Sequence, residues 1–199
     1  MRGQIQTQRQ VSYFFLGSRR GMLLAMFNDR KRPFFQSARF QELGPLPHAE
    51  LVSFLSGLFS QEGKSCPAEV CAAVSETVQQ HPYYAQLLAG ELFALSGPKV
   101  SPDLLPRAVA RMLDQERYGF EAMLDTYTPA QARILSTLAE HPGEMFSREF
   151  SEQAGLAVGT IQTGRKKLLA ADLIEESPKG VWRVVDPVFA LWLRARAVR

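Results

Sequence analysis

Residues 57–65 contain the residue types of a phosphate-binding loop, but at the wrong spacing. The segment reads GLFSQEGKS, whereas a P-loop follows the pattern G-x-x-x-x-G-K-S/T and connects a strand to a helix. Here five residues separate Gly57 from Gly63, and the segment leaves an amphipathic helix. We therefore interpret it as a helix end followed by a polar turn. No strand ending in an acidic Mg²⁺ ligand is recognisable either, so the sequence predicts no ATP hydrolysis by these 199 residues alone.

A second set of polar residues indicates contact with nucleic acid. The exposed face of a helix expected at residues 158–171 presents side chains of the types that contact bases and phosphates in a major groove: Gln162, Thr163, Arg165 and Lys166. Lys179, at the tip of a hairpin, and Arg183, on its second strand, are placed to reach phosphates. However, residues 128–199 carry a net charge of only +2, which equally favours a packing or protein-docking module.

The two cysteines, Cys66 and Cys71, are too few for a disulfide scaffold, and no further Cys or His lies at zinc-ligand spacing. We expect two ordinary buried thiols and no metal site.

The elements that position these residues are mostly helices. Apolar spacing predicts helices at 20–27, 48–59, 65–80, 83–95, 101–124, 130–140, 147–153 and 158–171. Two short strands at 173–176 and 181–185 flank the hairpin turn Ser-Pro-Lys-Gly. From residue 128 onward, the order is helix, helix, tight turn, helix and hairpin, which is typical of a winged helix-turn-helix.

The N-terminal region predicts part of a larger sheet. Residues 11–16 (VSYFFL) are continuously apolar, as in a strand buried on both faces, and residues 39–43 are the only obvious neighbour. Two short strands are marginal alone, so we expect the remaining strands to lie outside this sequence. An unpaired apolar edge at residues 11–16 would also promote self-association.

Charge divides the chain into three blocks. Residues 1–40 carry a net charge of +7, residues 41–127 a net charge of −6, and residues 128–199 a net charge of +2. No apolar run is long enough to span a membrane, and the polar N-terminus does not resemble a signal peptide. We therefore expect a cytoplasmic protein.

Four motifs in this order resemble the archaeal-type predicted ATPases, which are relatives of the AAA+ and STAND nucleotide switches. The resemblance is carried by FFLGS (14–18) followed by PFF (33–35), by LGPL (43–46) with the helix ending at Phe59, by QHPYYAQ (80–86), and by DPVFALWLR (186–194). The third is similar to the family's Gly-His-Pro-Tyr-Tyr lid motif, with Gln80 in place of glycine, which puts its tight turn and the adenine contact in question. The fourth closes the family's winged helix.

The resemblance implies roles for several residues. Ser18 falls where the family has a sensor of the γ-phosphate, and Arg19 or Arg20 would pair with phosphate there. From the residues alone, both arginines also fit a solvated helix start. His81 and Pro82 fall where the lid meets the adenine, although Pro82 equally suits the first position of any helix.

Together these observations predict an α+β chain that is mainly helical. Residues 1–43 would be the tail of an ATPase core, 44–124 a helical lid and 125–199 a winged helix. The expected function is that of the C-terminal part of an ATPase, in which ATP and Mg²⁺ bind only when the missing P-loop core, or a partner subunit that supplies it, is present. The sequence would then be a piece of a longer chain, a truncated gene product or one half of a split ATPase. The alternatives are a free-standing winged-helix regulator that binds duplex DNA and a protein-interaction module.

Overall fold

The computed structural model describes residue 8, residues 10–17, residues 20–41 and residues 43–197. Within these ranges, the chain folds into nine α-helices, one 3-10 turn and a two-stranded antiparallel sheet. The α+β, mainly helical class is therefore confirmed. No helix in the described part is long and apolar enough to cross a membrane.

Five helices precede the winged helix. They are α1 (Arg20–Asn28), α2 (His48–Gln61), α3 (Ala68–Thr77), α4 (Pro82–Leu95) and α5 (Leu105–Leu124), with the 3-10 turn Pro102–Leu104 leading into α5. α2 packs against α3, α3 against α4 and α4 against α5. Pro82 is the first residue of α4 and Pro106 the second of α5, positions where the missing N–H costs no hydrogen bond. All five were predicted, with ends that differ by a few residues.

The remaining elements form the winged helix. They are α6 (Pro129–Glu140), α7 (Arg148–Ala154), α8 (Val158–Ala170), β1 (Ile174–Glu176), β2 (Trp182–Val184) and α9 (Pro187–Ala197). Thr128 and Gln131 form a capping box that begins α6. Gly155 ends α7 in the left-handed conformation with φ 58°, so that the chain turns tightly into α8. The helix α9 is not among the predicted elements, and most of its residues belong to the motif DPVFALWLR.

One hydrophobic core runs through both parts of the chain. Buried side chains from α2 to α9 belong to a single cluster, which extends from Leu51 to Leu193. Phe120 of α5 links the two parts, because its ring packs 5.2 Å from Phe189 and 5.8 Å from Trp192 of α9, between ring centroids. The winged helix is thus built directly onto the helical part rather than joined to it by a free linker.

The predicted strands at 11–16 and 39–43 are not formed. The described residues of both segments have neither helical nor strand structure. Strand geometry requires a hydrogen-bonded neighbour, and no described residue offers one to either segment. Instead, Phe15, Phe34 and Phe40 gather around the buried ring of Phe27, with centroid distances of 5.3 to 5.8 Å. Phe14 and Leu16 remain almost fully exposed.

Candidate nucleotide and nucleic-acid contact sites

The turn that leads into α4 is held in an unusual backbone conformation. Gln79 and Gln80 both have positive φ, 49° and 58°, although neither is glycine. Such left-handed residues cost roughly 1–2 kcal/mol each and persist only where surrounding bonds hold them. Here the backbone and side-chain nitrogens of Gln80 both donate to the backbone oxygen of Ser75, at 2.9 and 3.3 Å. The turn expected of glycine therefore forms with Gln80.

His81 and Pro82 lie at the exposed start of α4. Pro82 occupies the first helical position and His81 the position before it, where no side chain accepts from the helix. Both residues are exposed, and so is Tyr83. The His81 imidazole packs against the ring of Tyr84, with the ring centroids 4.7 Å apart. The exposed rings of His81 and Tyr83 could stack on a flat ligand.

Tyr84 is the buried member of this segment. Its hydroxyl donates to Oδ2 of Asp186 at 2.6 Å, and Asp186 is the residue directly before α9. Burial, followed by the neighbouring Asp186 carboxylate, raises the pKa of the Tyr84 phenol far above its usual range. The phenol therefore remains a hydrogen-bond donor at any physiological pH.

Lys64, the lysine of the false P-loop, is occupied elsewhere. Its ammonium group donates to the backbone oxygens of Phe93 and Ser96, at 2.5 and 2.7 Å. These carbonyls belong to the last turn of α4 and its C-cap, where a cation is favoured. Gly57 lies within α2 and Gly63 just after it, so no strand precedes the lysine. The interpretation as a helix end and a polar turn is confirmed.

The structure describes no side chain of the predicted phosphate-sensing residues. Ser18 and Arg19 lie outside the described residues. Arg20 is the first residue of α1, and only its backbone is described. The sensor roles of these three residues stay predictions.

The helix α8 presents part of the predicted nucleic-acid face. Gln162, Thr163 and Lys166 are exposed, as is Lys179 at the wing tip. The Thr163 hydroxyl donates to the backbone oxygen of Gly159 at 3.0 Å and keeps its acceptor capacity. Lys167, which was not among the predicted contacts, is exposed on the same helix. The helical period could have indicated it, since it lies four residues after Thr163 and so on the same face.

The two arginines of the predicted face are engaged within the protein. The Arg165 guanidinium lies 5.4 Å from the ring centroids of both Phe146 and Trp182, and the residue is half-buried. Arg183 pairs with Glu175 across the hairpin, with Nη2 to Oε1 at 2.6 Å. Both arginines thus have partners within the protein, and their contact with DNA stays a prediction.

The cysteines and other metal-ligand types form no ion site in the described part of the chain. No group of three or more His, Cys, Asp or Glu residues converges there. Cys66 and Cys71 are free and buried, with their sulfur atoms 3.4 Å apart. Burial, and then the neighbouring thiol of Cys71, raises the pKa of Cys66 to about 12.

Comparison with known proteins agrees with this architecture. Residues 118–195 match a family model described as "Probable winged helix domain". The matched range begins within α5 and runs through α6, α7, α8 and the hairpin into α9. A solved structure, a Walker-type ATPase of Pyrococcus abyssi, is similar to this chain with a TM-score of 0.67 and 19% sequence identity. The similarity covers 87% of this chain and 50% of the ATPase, so the chain spans about half the length of that protein. A search of curated proteins gives no match.

The structural similarity includes regions outside the winged-helix domain. At 87% coverage, it must extend well beyond residues 118–195 into the helical part. The helical part and the winged-helix domain are thus arranged as in half of a Walker-type ATPase. At this level of identity, the similarity concerns the fold alone.

Proposed function

We propose that this chain is the lid and winged-helix region of a P-loop ATPase. The observation that supports this best is the combined fold: the helical part and the winged-helix domain match one half of a Walker-type ATPase as a single arrangement. A winged helix alone occurs in many kinds of protein, but its combination with this helical part is more specific to such ATPases. The other half of an ATPase of that size supplies what these residues lack, a phosphate-binding loop and the acidic Mg²⁺ ligand.

In the complete ATPase, nucleotide binds between the phosphate-binding core and the start of α4. His81, Pro82 and the exposed Tyr83 contact the adenine, and the P-loop, outside residues 1–199, holds the phosphates and Mg²⁺. Hydrolysis then alters the angle of the lid and moves the winged helix with it, as in hinge-type switches. Ser18, Arg19 and Arg20 contribute phosphate contacts on the core side.

Titration of MgATP by calorimetry tests this proposal. We expect the 199-residue chain alone to bind ATP weakly or not at all. The chain together with its phosphate-binding core, encoded in the same reading frame or by a partner protein, should bind ATP at micromolar concentrations. Micromolar affinity of the 199 residues alone would overturn the proposal. So would the absence of a Gly-rich loop ending in Gly-Lys-Ser/Thr, both from the upstream frame and from any protein that forms a stable complex with this chain.

A second candidate function is duplex DNA binding by the winged helix. Four exposed residues favour it: Gln162, Lys166 and Lys167 on α8, and Lys179 on the wing. The double variant Lys166→Ala/Lys167→Ala should lose affinity for DNA of any sequence and should reduce the salt slope by about 2, since each phosphate contact contributes about 1. Arg183→Ala should change little, because that guanidinium pairs with Glu175. A chain that shows no salt-dependent shift with duplex DNA contradicts this function and leaves the lid and winged helix as a protein-docking module.

A further inference from the structure

The lid motif and the start of α9 meet through one carboxylate. Asp186 lies 102 residues after Tyr84 in the sequence, yet its Oδ2 accepts the Tyr84 hydroxyl at 2.6 Å. Its other oxygen, Oδ1, accepts from the backbone N–H groups of Val188 and Phe189, both at 2.9 Å. A single side chain therefore both caps α9 and receives a hydrogen bond from α4.

This arrangement divides the two tasks between the two oxygens. The Oδ1 bonds stabilise the start of α9, which any good N-cap residue would also do. The Oδ2 bond adds nothing to the cap but ties it to the lid. A hydrogen bond to a charged group contributes more than a neutral one, and its partner here is a phenol that is only 5% exposed.

The same turn of α9 also carries the apolar contact between the two parts. Phe189, whose N–H is capped by Asp186, packs against Phe120 of α5. The first turn of α9 is thus fixed by a hydrogen bond to α4 and by an aromatic contact to α5. At the other end of this path, Tyr84 lies against the exposed ring of His81.

We propose that Tyr84 and Asp186 are positioning residues that make the winged helix move as one body with the lid. Displacement of the α4 start at His81 is passed through the Tyr84 hydroxyl to the Asp186 carboxylate, and from there to the first turn of α9. The apolar contact of Phe120 prevents separation of the two parts, while the directional hydrogen bond fixes their angle. The use of this joint in an ATP cycle rests on the proposed function, but the joint itself is a property of the 199 residues.

The experiment measures the distance between the two parts in the chain without nucleotide. Spin labels are attached to Glu69→Cys on α3 and Ala170→Cys on α8, both exposed positions. The native thiols are buried and remain unlabelled. We expect a single narrow distance distribution for the parent chain, which Tyr84→Phe converts into a broad one, with circular dichroism unchanged. Amide exchange at Val188 and Phe189 should stay as in the parent chain, because Oδ1 of Asp186 still accepts from both N–H groups in Tyr84→Phe.

Two further variants separate the joint from simple destabilisation. Asp186→Ser keeps an N-cap residue but is too short to reach Tyr84, so it should broaden the distribution as Tyr84→Phe does. Tyr83→Phe is the matched control, because the Tyr83 hydroxyl also bonds a carboxylate, that of Glu116 at 2.9 Å, but within the helical part. It should leave the distribution narrow.

A narrow, parent-like distribution in either Tyr84→Phe or Asp186→Ser would overturn the joint. The same holds if Tyr83→Phe broadens the distribution equally. Because no nucleotide is used, failure of this experiment leaves the ATPase proposal standing, and failure of the ATP titration leaves the joint standing.

Discussion

The ammonium group of Lys64 donates to the backbone oxygen of Phe93 at 2.5 Å and stands 3.9 Å from the centroid of the same residue's ring. A lysine in a Gly-Lys-Ser sequence is thereby placed at the C-terminal end of α4, opposite to the end where His81 and Pro82 lie. It contributes to the packing of the loop after α2 against α4. The sequence Gly-Lys-Ser, taken without its spacing and context, would suggest that Lys64 binds phosphate.

Lys64→Ala should therefore destabilise the fold without affecting nucleotide binding. Loss of two hydrogen bonds between an ammonium group and carbonyls should cost about 2 kcal/mol. In a chain of this length, that lowers the melting temperature by about 5 °C in thermal unfolding. Lys99→Ala, an exposed lysine nearby in the sequence, should stay within about 0.5 kcal/mol of the parent.

The contradicting result would come from the same melts with MgATP added. If MgATP stabilises the parent chain but not Lys64→Ala, the lysine binds phosphate and does not serve only to hold the loop against α4.

Gln80→Gly should stabilise the chain, since Gln80 has φ 58° in the turn before His81. Glycine removes the steric cost of a left-handed residue, roughly 1 kcal/mol, and gives up the 3.3 Å bond from the Gln80 side chain. We expect a net rise in melting temperature of about 1–3 °C. An equivalent fall would show that the side-chain bond, and not the backbone strain, dominates at this position.

Local patterns in the sequence predicted most of the fold. Apolar spacing located the helices α1 to α8 because each buries one face. The sequence Ser-Pro-Lys-Gly indicated the hairpin because proline and glycine favour turns, and Gly180 takes φ 77° in the structure. The Arg183–Glu175 pair could also have been predicted from the sequence. A four-residue turn at 177–180 sets the register, which places Glu175 directly opposite Arg183. Contact of Arg183 with phosphate stays a prediction, since about half of its side chain is exposed beside Glu175.

Long-range relationships were not predictable from local pattern. The Tyr84–Asp186 bond joins residues 102 apart, and neither residue type indicates its partner. The predicted strand at 11–16 was wrong because an apolar run shows only that a segment can be buried, while strand formation also needs a neighbouring backbone.

Gly164→Ala should destabilise the winged-helix domain. A Cβ at this position in α8 would lie 2.6 Å from Cδ1 of Ile134, a fully buried side chain of α6. The overlap should cost more than the roughly 1 kcal/mol that alanine gains in helix propensity, for a net loss of about 1 kcal/mol.

Gly159→Ala is the matched control for Gly164→Ala. It lies in the same helix with nothing within 4 Å of the added Cβ, so it should stabilise by up to about 1 kcal/mol. Urea unfolding of both variants compares the two. Equal effects at the two glycines would contradict the close approach of α6 and α8.

Alkaline pH should weaken the fold through Cys66. Its pKa rises from 9.0 to about 12 on folding, so the unfolded chain releases this proton at lower pH than the folded chain does. The stabilising contribution is complete below about pH 9 and is lost as pH rises towards 12. Urea unfolding from pH 8 to pH 11 should therefore show a smaller fall in the free energy of unfolding for Cys66→Ala than for the parent. Identical slopes would mean that the thiol ionises equally in both states.

Nucleotide affinity of the complete ATPase is the decisive measurement, because the proposed function places adenine at the exposed start of α4. ATP binding is measured for this chain with its phosphate-binding core, carrying either His81→Ala or Lys99→Ala. We expect about tenfold weaker binding for His81→Ala, equivalent to the loss of one stacking contact of about 1.4 kcal/mol, and no change for Lys99→Ala. Unchanged ATP affinity in a folded His81→Ala variant would contradict this placement of the adenine.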